Sequence, residues 1–433
     1  MGGTVRRVIE EEPQTVAEPR PPSVDALARS LRSDVLPDAL LVDVAREAIT
    51  ARAWDEPDLL VRRHERRLLQ PVVNATGVLL HTNLGRAPFG YEHAGAASNL
   101  EFDLSTGKRG SRHEHTAPLF ARLVGAESAL IVNNNAAAVL LVLSALARGR
   151  DVLVSRGESV EIGGGFRVPE VLAQSGCRLV DVGTTNRTRR SDYASAVTAD
   201  TALVLKVHPS NYRIDGFTED TTIAELAEIG VPVAADIGSG LLDANCPWLP
   251  GGPPSWLRGE PAARQTLKDG AALVMFSADK LLGGPQGGII AGRSDLVAAC
   301  ARHPLARALR PGSMILAALQ QVALSYLRRD VATTIPFWRM ASLSVEELRR
   351  RAGAIGVGEV LAMESVPGAG SLPGVTIPSA GISVAGDHVQ ALRLCDTPII
   401  ARARHGHTLL DLRTVDPGDD PVVAAALRAL AEG

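Results

Sequence analysis

Ser277-Ala-Asp-Lys280-Leu-Leu-Gly283-Gly-Pro-Gln-Gly-Gly288 follows one apolar run, Ala272–Phe276, and leads directly into another, Gly288–Ala291. A lysine that ends a buried strand beside freely bending, glycine-rich backbone sits where an imine-forming amine is needed. Two more apolar runs end in polar residues. Val231-Pro-Val-Ala-Ala-Asp236 ends in an acid, and Val132-Asn-Asn-Asn135 ends just before a helical segment.

Around this stretch, from about residue 125 onward, short apolar runs alternate with amphipathic ones. Ala129–Val132, Val152–Ser155, Arg178–Val182, Ala202–Val207, Val231–Asp236, Ala272–Phe276 and Gly288–Ala291 read as strands, most of them joined by helical crossovers. The alternation predicts an α/β fold with a large, mostly parallel seven-stranded sheet covered on both faces. After Gly292 the spacing is helical over Leu296–Arg329 and Ser344–Ala354. Strand signals follow at Ser371–Val375, Gly381–Val384, Ile399–Arg404 and Thr408–Leu412. Upstream, Ser23 is a candidate N-cap for the first of three helically spaced segments that reach Leu69. The expected organisation is a mobile segment 1–22, rich in Glu, Pro and Arg; a short helical N-terminal domain 23–69; a large α/β domain 70–310; and, over 311–433, a linking helix with a small C-terminal α+β domain.

Composition narrows the function classes. With 433 residues, 45% hydrophobic and 21% charged, the chain has ordinary globular make-up. Its longest apolar run, Ala136–Ala147, is too short to cross a bilayer and reads as a buried helix. The N-terminus lacks the apolar core of a secretory signal, so a cytoplasmic location is expected. Four scattered cysteines form no C-x-x-C pair, which speaks against structural zinc and disulfides. A net charge of −3 excludes a uniformly basic coat, leaving local clusters at Arg62–Arg67, Lys108–His113 and Asn186–Arg190 for any nucleic-acid contact.

The strand-end residues together supply the parts of a pyridoxal 5'-phosphate site. Lys280 is the lysine for the cofactor's aldehyde, and Asp236 the acid that keeps the pyridine nitrogen protonated. Asn134, Asn135 and Ala136 offer donors at a helix N-terminus, where the dipole favours phosphate. Ser277 adds a hydroxyl, and Asn211, in His208-Pro-Ser-Asn-Tyr212, is the candidate partner of the phenolic oxygen. Singly, each also reads as a cap, a turn residue or a surface lysine. What sets them apart is that all lie at the ends of successive strands, where ligands of open α/β sheets collect. Ser277-x-x-Lys280 also matches the S-x-x-K of acyl-transferring serine enzymes, but the companion Lys-Thr-Gly is missing. Gly163-Gly-Gly165 does not complete G-x-G-x-x-G, and His113-Glu-His115 has no further partner for a metal.

Longer motifs carry a resemblance. Pro71–Ala87, Asn99–Leu104 with Gly107–His113, Val132–Val139, Val154–Glu158 with Val160–Arg167, Val182–Thr188, Lys206–Tyr212, Ser277–Gly288, His303–Arg310 and Thr408–Pro417 resemble the bacterial L-seryl-tRNA(Sec) selenium transferases, a family of fold-type-I pyridoxal phosphate enzymes. The resemblance implies PLP-dependent β-elimination of the serine hydroxyl from seryl-tRNA(Sec), then addition of selenium from selenophosphate to give selenocysteyl-tRNA(Sec). It also implies Lys280 as the cofactor lysine, a homodecamer with sites at subunit interfaces, and Arg86, Arg307 and Arg310 as residues that receive the anionic selenium donor. Guanidinium forks suit such an oxyanion, and Arg307 and Arg310, spaced i, i+3, would share a helix face. Three departures from the family pattern stand out: a short 87–98 segment, a short N-terminal domain as the tRNA-docking candidate, and Pro311-Gly-Ser313 after Arg310. A paralogous PLP-dependent lyase acting on a free small amino compound, without tRNA, is the alternative.

Overall fold

A computed structural model describes residues 20–432 apart from 93–94, 163–164 and 369–370. Most of the segment expected to be mobile (1–19), part of the short 87–98 segment, and Gly163-Gly164 lie outside the described residues. The chain divides into two compact units between Val72 and Val73.

The N-terminal unit contains helices Val24–Ser30, Asp38–Thr50 and Pro57–Glu65. The Ser23 hydroxyl accepts from the Ala26 amide at 3.2 Å, satisfying one orphan donor of the first turn. Leu41, Val44, Ala45 and Ala48 recur at helical spacing and close a small core with Leu27, Leu31, Leu36 and Val61.

In the second unit seven strands form one sheet: β1 Ser128–Val132, β2 Asp151–Ser155, β3 Arg178–Val182, β4 Thr201–Val207, β5 Val233–Gly238, β6 Leu273–Ser277 and β7 Gly288–Gly292. Their order is β1-β7-β6-β5-β4-β2-β3. Only β7 runs against its neighbours. Alternate residues feed two cores, Val274 and Phe276 of β6 into one, Leu273 and Met275 into the other. Both faces are therefore covered, and the strands read as continuous apolar runs. The apolar stretch after β1 is the helix Asn135–Leu146, buried nearly all round.

The C-terminal sheet has β8 Glu359–Gly368, β9 Ile377–Ala385, β10 Arg402–Arg404 and β11 His407–Asp411, with Val78–Leu80 pairing in parallel on β8. Helices Val345–Ile355 and Asp420–Glu432 pack into its core, with Val73, Ala75, Leu392 and Ile399. One expectation is corrected here. Ser371–Val375 is not a strand: Pro373 has no amide to donate, Leu372 takes φ +53° and Gly374 φ +77°. Val73–Asn74 pairs with Ile399–Ile400 and Val78–Leu80 with β8, so these residues pair with strands of the C-terminal part. Among the described residues no helix is long and apolar enough to cross a membrane.

Gly288 joins β7 to the start of helix Asn135–Leu146. A methyl there would lie 2.2 Å from the Asn134 carbonyl oxygen. Gly288→Ala is expected to cost about 1–3 kcal/mol in urea unfolding. Gly353→Ala, in an exposed helical position where a Cβ meets nothing within 4 Å, should be neutral or stabilising by up to about 1 kcal/mol.

Candidate functional site

The loops that leave the carboxyl ends of β1, β4, β5 and β6 enclose a cavity of about 220 Å³ lined by Arg86, Asn134, Asn135, Ala136, His208, Ser210, Asp236, Gly238, Ser277, Asp279, Lys280 and Gln286. This is the position open α/β sheets reserve for ligands.

Lys280 is buried because the turn after β6 folds back on the sheet. The Ala278 amide donates to the Gly287 carbonyl at 2.8 Å, the Leu281 amide to Ser239 at 2.9 Å and the Gly283 amide to Lys280 itself at 2.8 Å. Gly283 closes this turn at φ +76°, where a Cβ would lie 2.4 Å from Ile335. Asp236 reaches the cavity from β5, and the register with β6 slips between it and Gly238, which takes φ +65°. A side chain at Gly238 would start 3.7 Å from Lys280 Nζ, 3.8 Å from Ser210 Oγ and 3.9 Å from Asp236 Oδ1. Its absence leaves the space between these groups open.

Burial dominates the electrostatics. It holds the Lys280 amine below the usual lysine range, against the attraction of Asp236. It pushes the Asp236 carboxyl up, against a 2.7 Å hydrogen bond donated by Asn135 Nδ2 and the attraction of Lys280. Both groups are driven toward neutrality because the cavity removes more hydration than their mutual attraction returns. Arg86, at φ +66°, donates from Nη1 to Asp279 Oδ2 at 2.7 Å, and the Ala87 amide donates to the Asp279 carbonyl at 3.1 Å.

Asn134, Asn135, Ala136, Asp236, Ser277, Lys280 and Arg86 thus line one cavity. The Asn134 side chain is engaged in capping, accepting from the Ala137 amide at 2.8 Å. Asn211 stands apart from these. It is exposed, donates to the Glu161 carbonyl at 3.4 Å and does not line the cavity. The Ser210 amide turns back to the His208 carbonyl at 2.8 Å, so Ser210 and His208 line the cavity instead. Arg307 and Arg310 line a separate depression with Glu101, Arg112 and His113, where Arg310 Nη1 lies 3.5 Å from Glu101 Oε1. They do not share a helix face, because the helix that carries Arg307 ends at Ala308. Sequence reading also missed Asp279 and Gln286; the adjacency of Asp279 to Lys280 was the available signal for the first, and Gln286 gave none.

A family model described as L-seryl-tRNA selenium transferase matches residues 72–416. The L-seryl-tRNA(Sec) selenium transferase of Moorella thermoacetica is 48% identical over 404 residues, covering 86% of this chain and 84% of the relative. The protein of the same name from Geobacter sulfurreducens is 43% identical over 99% of this chain and 96% of its own length. Among solved structures, a D-glucosaminate-6-phosphate ammonia-lyase superposes with a TM-score of 0.60 at 23% identity, over 85% of this chain and 98% of that chain. That likeness is one of fold.

Asn135→Ala removes a donor from a buried carboxyl and is expected to cost about 1–3 kcal/mol. Asp236 already titrates higher in the folded protein than unfolded, so its burial favours folding in acid and loses that benefit as pH rises through the folded value. Urea midpoints should therefore separate wild type and variant more at about pH 8 than at about pH 4.

Proposed function

The chain belongs to the L-seryl-tRNA selenium transferase family, and from that premise we propose that it converts seryl-tRNA(Sec) to selenocysteyl-tRNA(Sec), with pyridoxal 5'-phosphate as cofactor and selenophosphate as selenium donor. The fold is that of the fold-type-I pyridoxal phosphate enzymes. The observation that carries the reading is one cavity that unites a buried lysine, a buried acid and a helix N-terminus at the carboxyl edge of that sheet.

The residues present fit this cofactor. Gly238 leaves open the space between Lys280, Ser210 and Asp236 that a side chain would fill, and Asn135 Oδ1 is buried without a partner among the described residues. Lys280 would hold the aldehyde, Asp236 would face the pyridine nitrogen, and Asn135 and Ala136 at the helix N-terminus, with Ser277, would take the phosphate. Bound there, the cofactor supplies an electron sink for a carbanion at the substrate α-carbon. The Asp236 carboxylate, costly to bury alone, would gain a cation to balance it.

Lys280 is the amine that removes the α-proton of the seryl group and returns it after selenium has been added at the β-carbon. Its burial, which disfavours the ammonium form, suits it to act as a base near neutral pH. Asp279 holds Arg86 in the cavity, where the guanidinium can meet an oxyanion. Because the seryl carboxyl is esterified to tRNA, no arginine is needed to clamp it, and Arg86 is left for the selenium donor. Arg307 and Arg310 are assigned to the same donor by the family resemblance. Their place in a separate depression of one chain fits sites completed between subunits of a homo-oligomer, a decamer by that resemblance. The helical N-terminal unit, with its basic run Arg62–Arg67, is the tRNA-docking candidate, and the reaction is assigned to the cytoplasm, where aminoacyl-tRNA is made. Both named relatives carry seryl-tRNA in their names, so a lyase acting on a free amino compound is not favoured.

Wild type incubated with pyridoxal phosphate is expected to turn yellow and to incorporate selenium into seryl-tRNA(Sec). Lys280→Ala should lose both the colour and the incorporation. A wild type that stays colourless under reconstitution would sink the cofactor assignment. Removing residues 1–69 should weaken tRNA binding and leave the colour in place, and binding by the full chain should fall steeply with salt.

A further inference from the structure

The Lys280 cavity shares one residue with a neighbour of about 400 Å³, lined among others by Glu158, Tyr212, Arg258 and Glu260. That residue is His208. It follows β4, whose end is braced by Glu158, which accepts from Lys206 Nζ at 2.6 Å and from the Val207 amide at 2.7 Å. The His208 amide donates to the Asp236 carbonyl at 2.9 Å, so its backbone is tied to the buried acid.

The ring is placed but not satisfied. Nε2 is buried 3.7 Å from Oε2 of Glu260, and among the described residues neither it nor Glu260 Oε1 has a hydrogen-bond partner. The Glu260 side chain is only 2% exposed. Buried groups with purely structural roles are normally hydrogen-bonded. An ionisable pair with unused capacity, whose histidine lines the Lys280 cavity, has instead the geometry of a catalytic pair that tightens when substrate arrives.

The proposed reaction needs such a pair. Lys280 takes the α-proton, but the β-oxygen leaves poorly as hydroxide. We infer that His208, held by Glu260, is the acid that protonates the departing seryl oxygen, an inference that rests on the seryl-tRNA reading above. The electron pair left on the α-carbon forms the Cα=Cβ bond as the Cβ–O bond breaks, and the pair of the broken bond stays on oxygen. The N–H bond of the His208 imidazolium breaks in the same step, and its proton joins that oxygen, releasing water and leaving neutral imidazole. The ring regains a proton from water in the neighbouring cavity. Glu260, with Oε2 3.7 Å from Nε2, fixes the orientation of the ring, so Glu260 is a positioning residue. The charged groups that share its two cavities include Asp236 and Lys280 on one side and Glu158 and Arg258 on the other.

The test uses the full-length protein with pyridoxal phosphate and seryl-tRNA, without selenium donor. Three quantities are followed: cofactor binding by absorbance, exchange of the seryl α-proton with deuterated solvent, and loss of the seryl oxygen by mass spectrometry of the aminoacyl-tRNA. His208→Ala is expected to bind cofactor and exchange the α-proton as wild type does, while oxygen loss slows by about 10²–10⁴-fold and is partly restored by added imidazole. Glu260→Gln should slow oxygen loss by a smaller factor. If His208→Ala does not fold, His208→Gln is read in the same way, without the imidazole arm. Exchange and oxygen loss falling together, or oxygen loss unchanged, or no rescue by imidazole, would overturn the role of His208 and leave the overall function standing. Absence of cofactor binding and exchange in wild type overturns both.

Discussion

The carboxyl edge of the seven-stranded sheet is organised around two ionisable groups taken out of water together, Lys280 and Asp236. Neither is stable there by itself, and their mutual attraction does not offset the lost hydration. The neighbouring backbone is arranged to tolerate this cost. Asn135 donates to the acid, the glycine turn seals the lysine from solvent, and Gly238 withholds a side chain from the space between them. A site with both groups driven toward neutrality favours a ligand that brings its own cation and its own carbonyl.

Much of this architecture was legible from residues alone. All seven sheet strands were read within a few residues of their true limits, because strands covered on both faces leave unbroken apolar runs. Lys280, Asp236 and the Asn134–Ala136 segment were legible for a related reason: each ends such a run, and a polar residue at that place is conspicuous. The antiparallel entry of β7 between β1 and β6 was not legible, since apolar runs carry no direction.

Failures came where local geometry decides which of two neighbours faces inward. Asn211 looked like the better donor, yet the turn after Pro209 aims Ser210 into the cavity. Arg307 and Arg310 looked like one helix face until the helix ended between them. Ser371–Val375 had the apolar content of a strand but contains a proline and a glycine in a left-handed conformation. His208 and Glu260 lie far apart in the chain, and no spacing rule links them; only the fold brings the histidine to a carboxylate.

The position of β7 has a consequence for how the protein is made. It pairs with β1 on one side and β6 on the other, with Gly288 pressed against the Asn134 carbonyl, so the Asn134 end of the cavity and the lysine loop are joined by the last strand of the sheet to emerge from the ribosome. Every earlier strand of the sheet is synthesised before the cavity has both walls. The nascent chain therefore passes through a long interval in which β1 presents an unpaired edge, one that is slow to close across so much sequence and prone to pairing with other chains, whereas β6 meets β7 within a short loop.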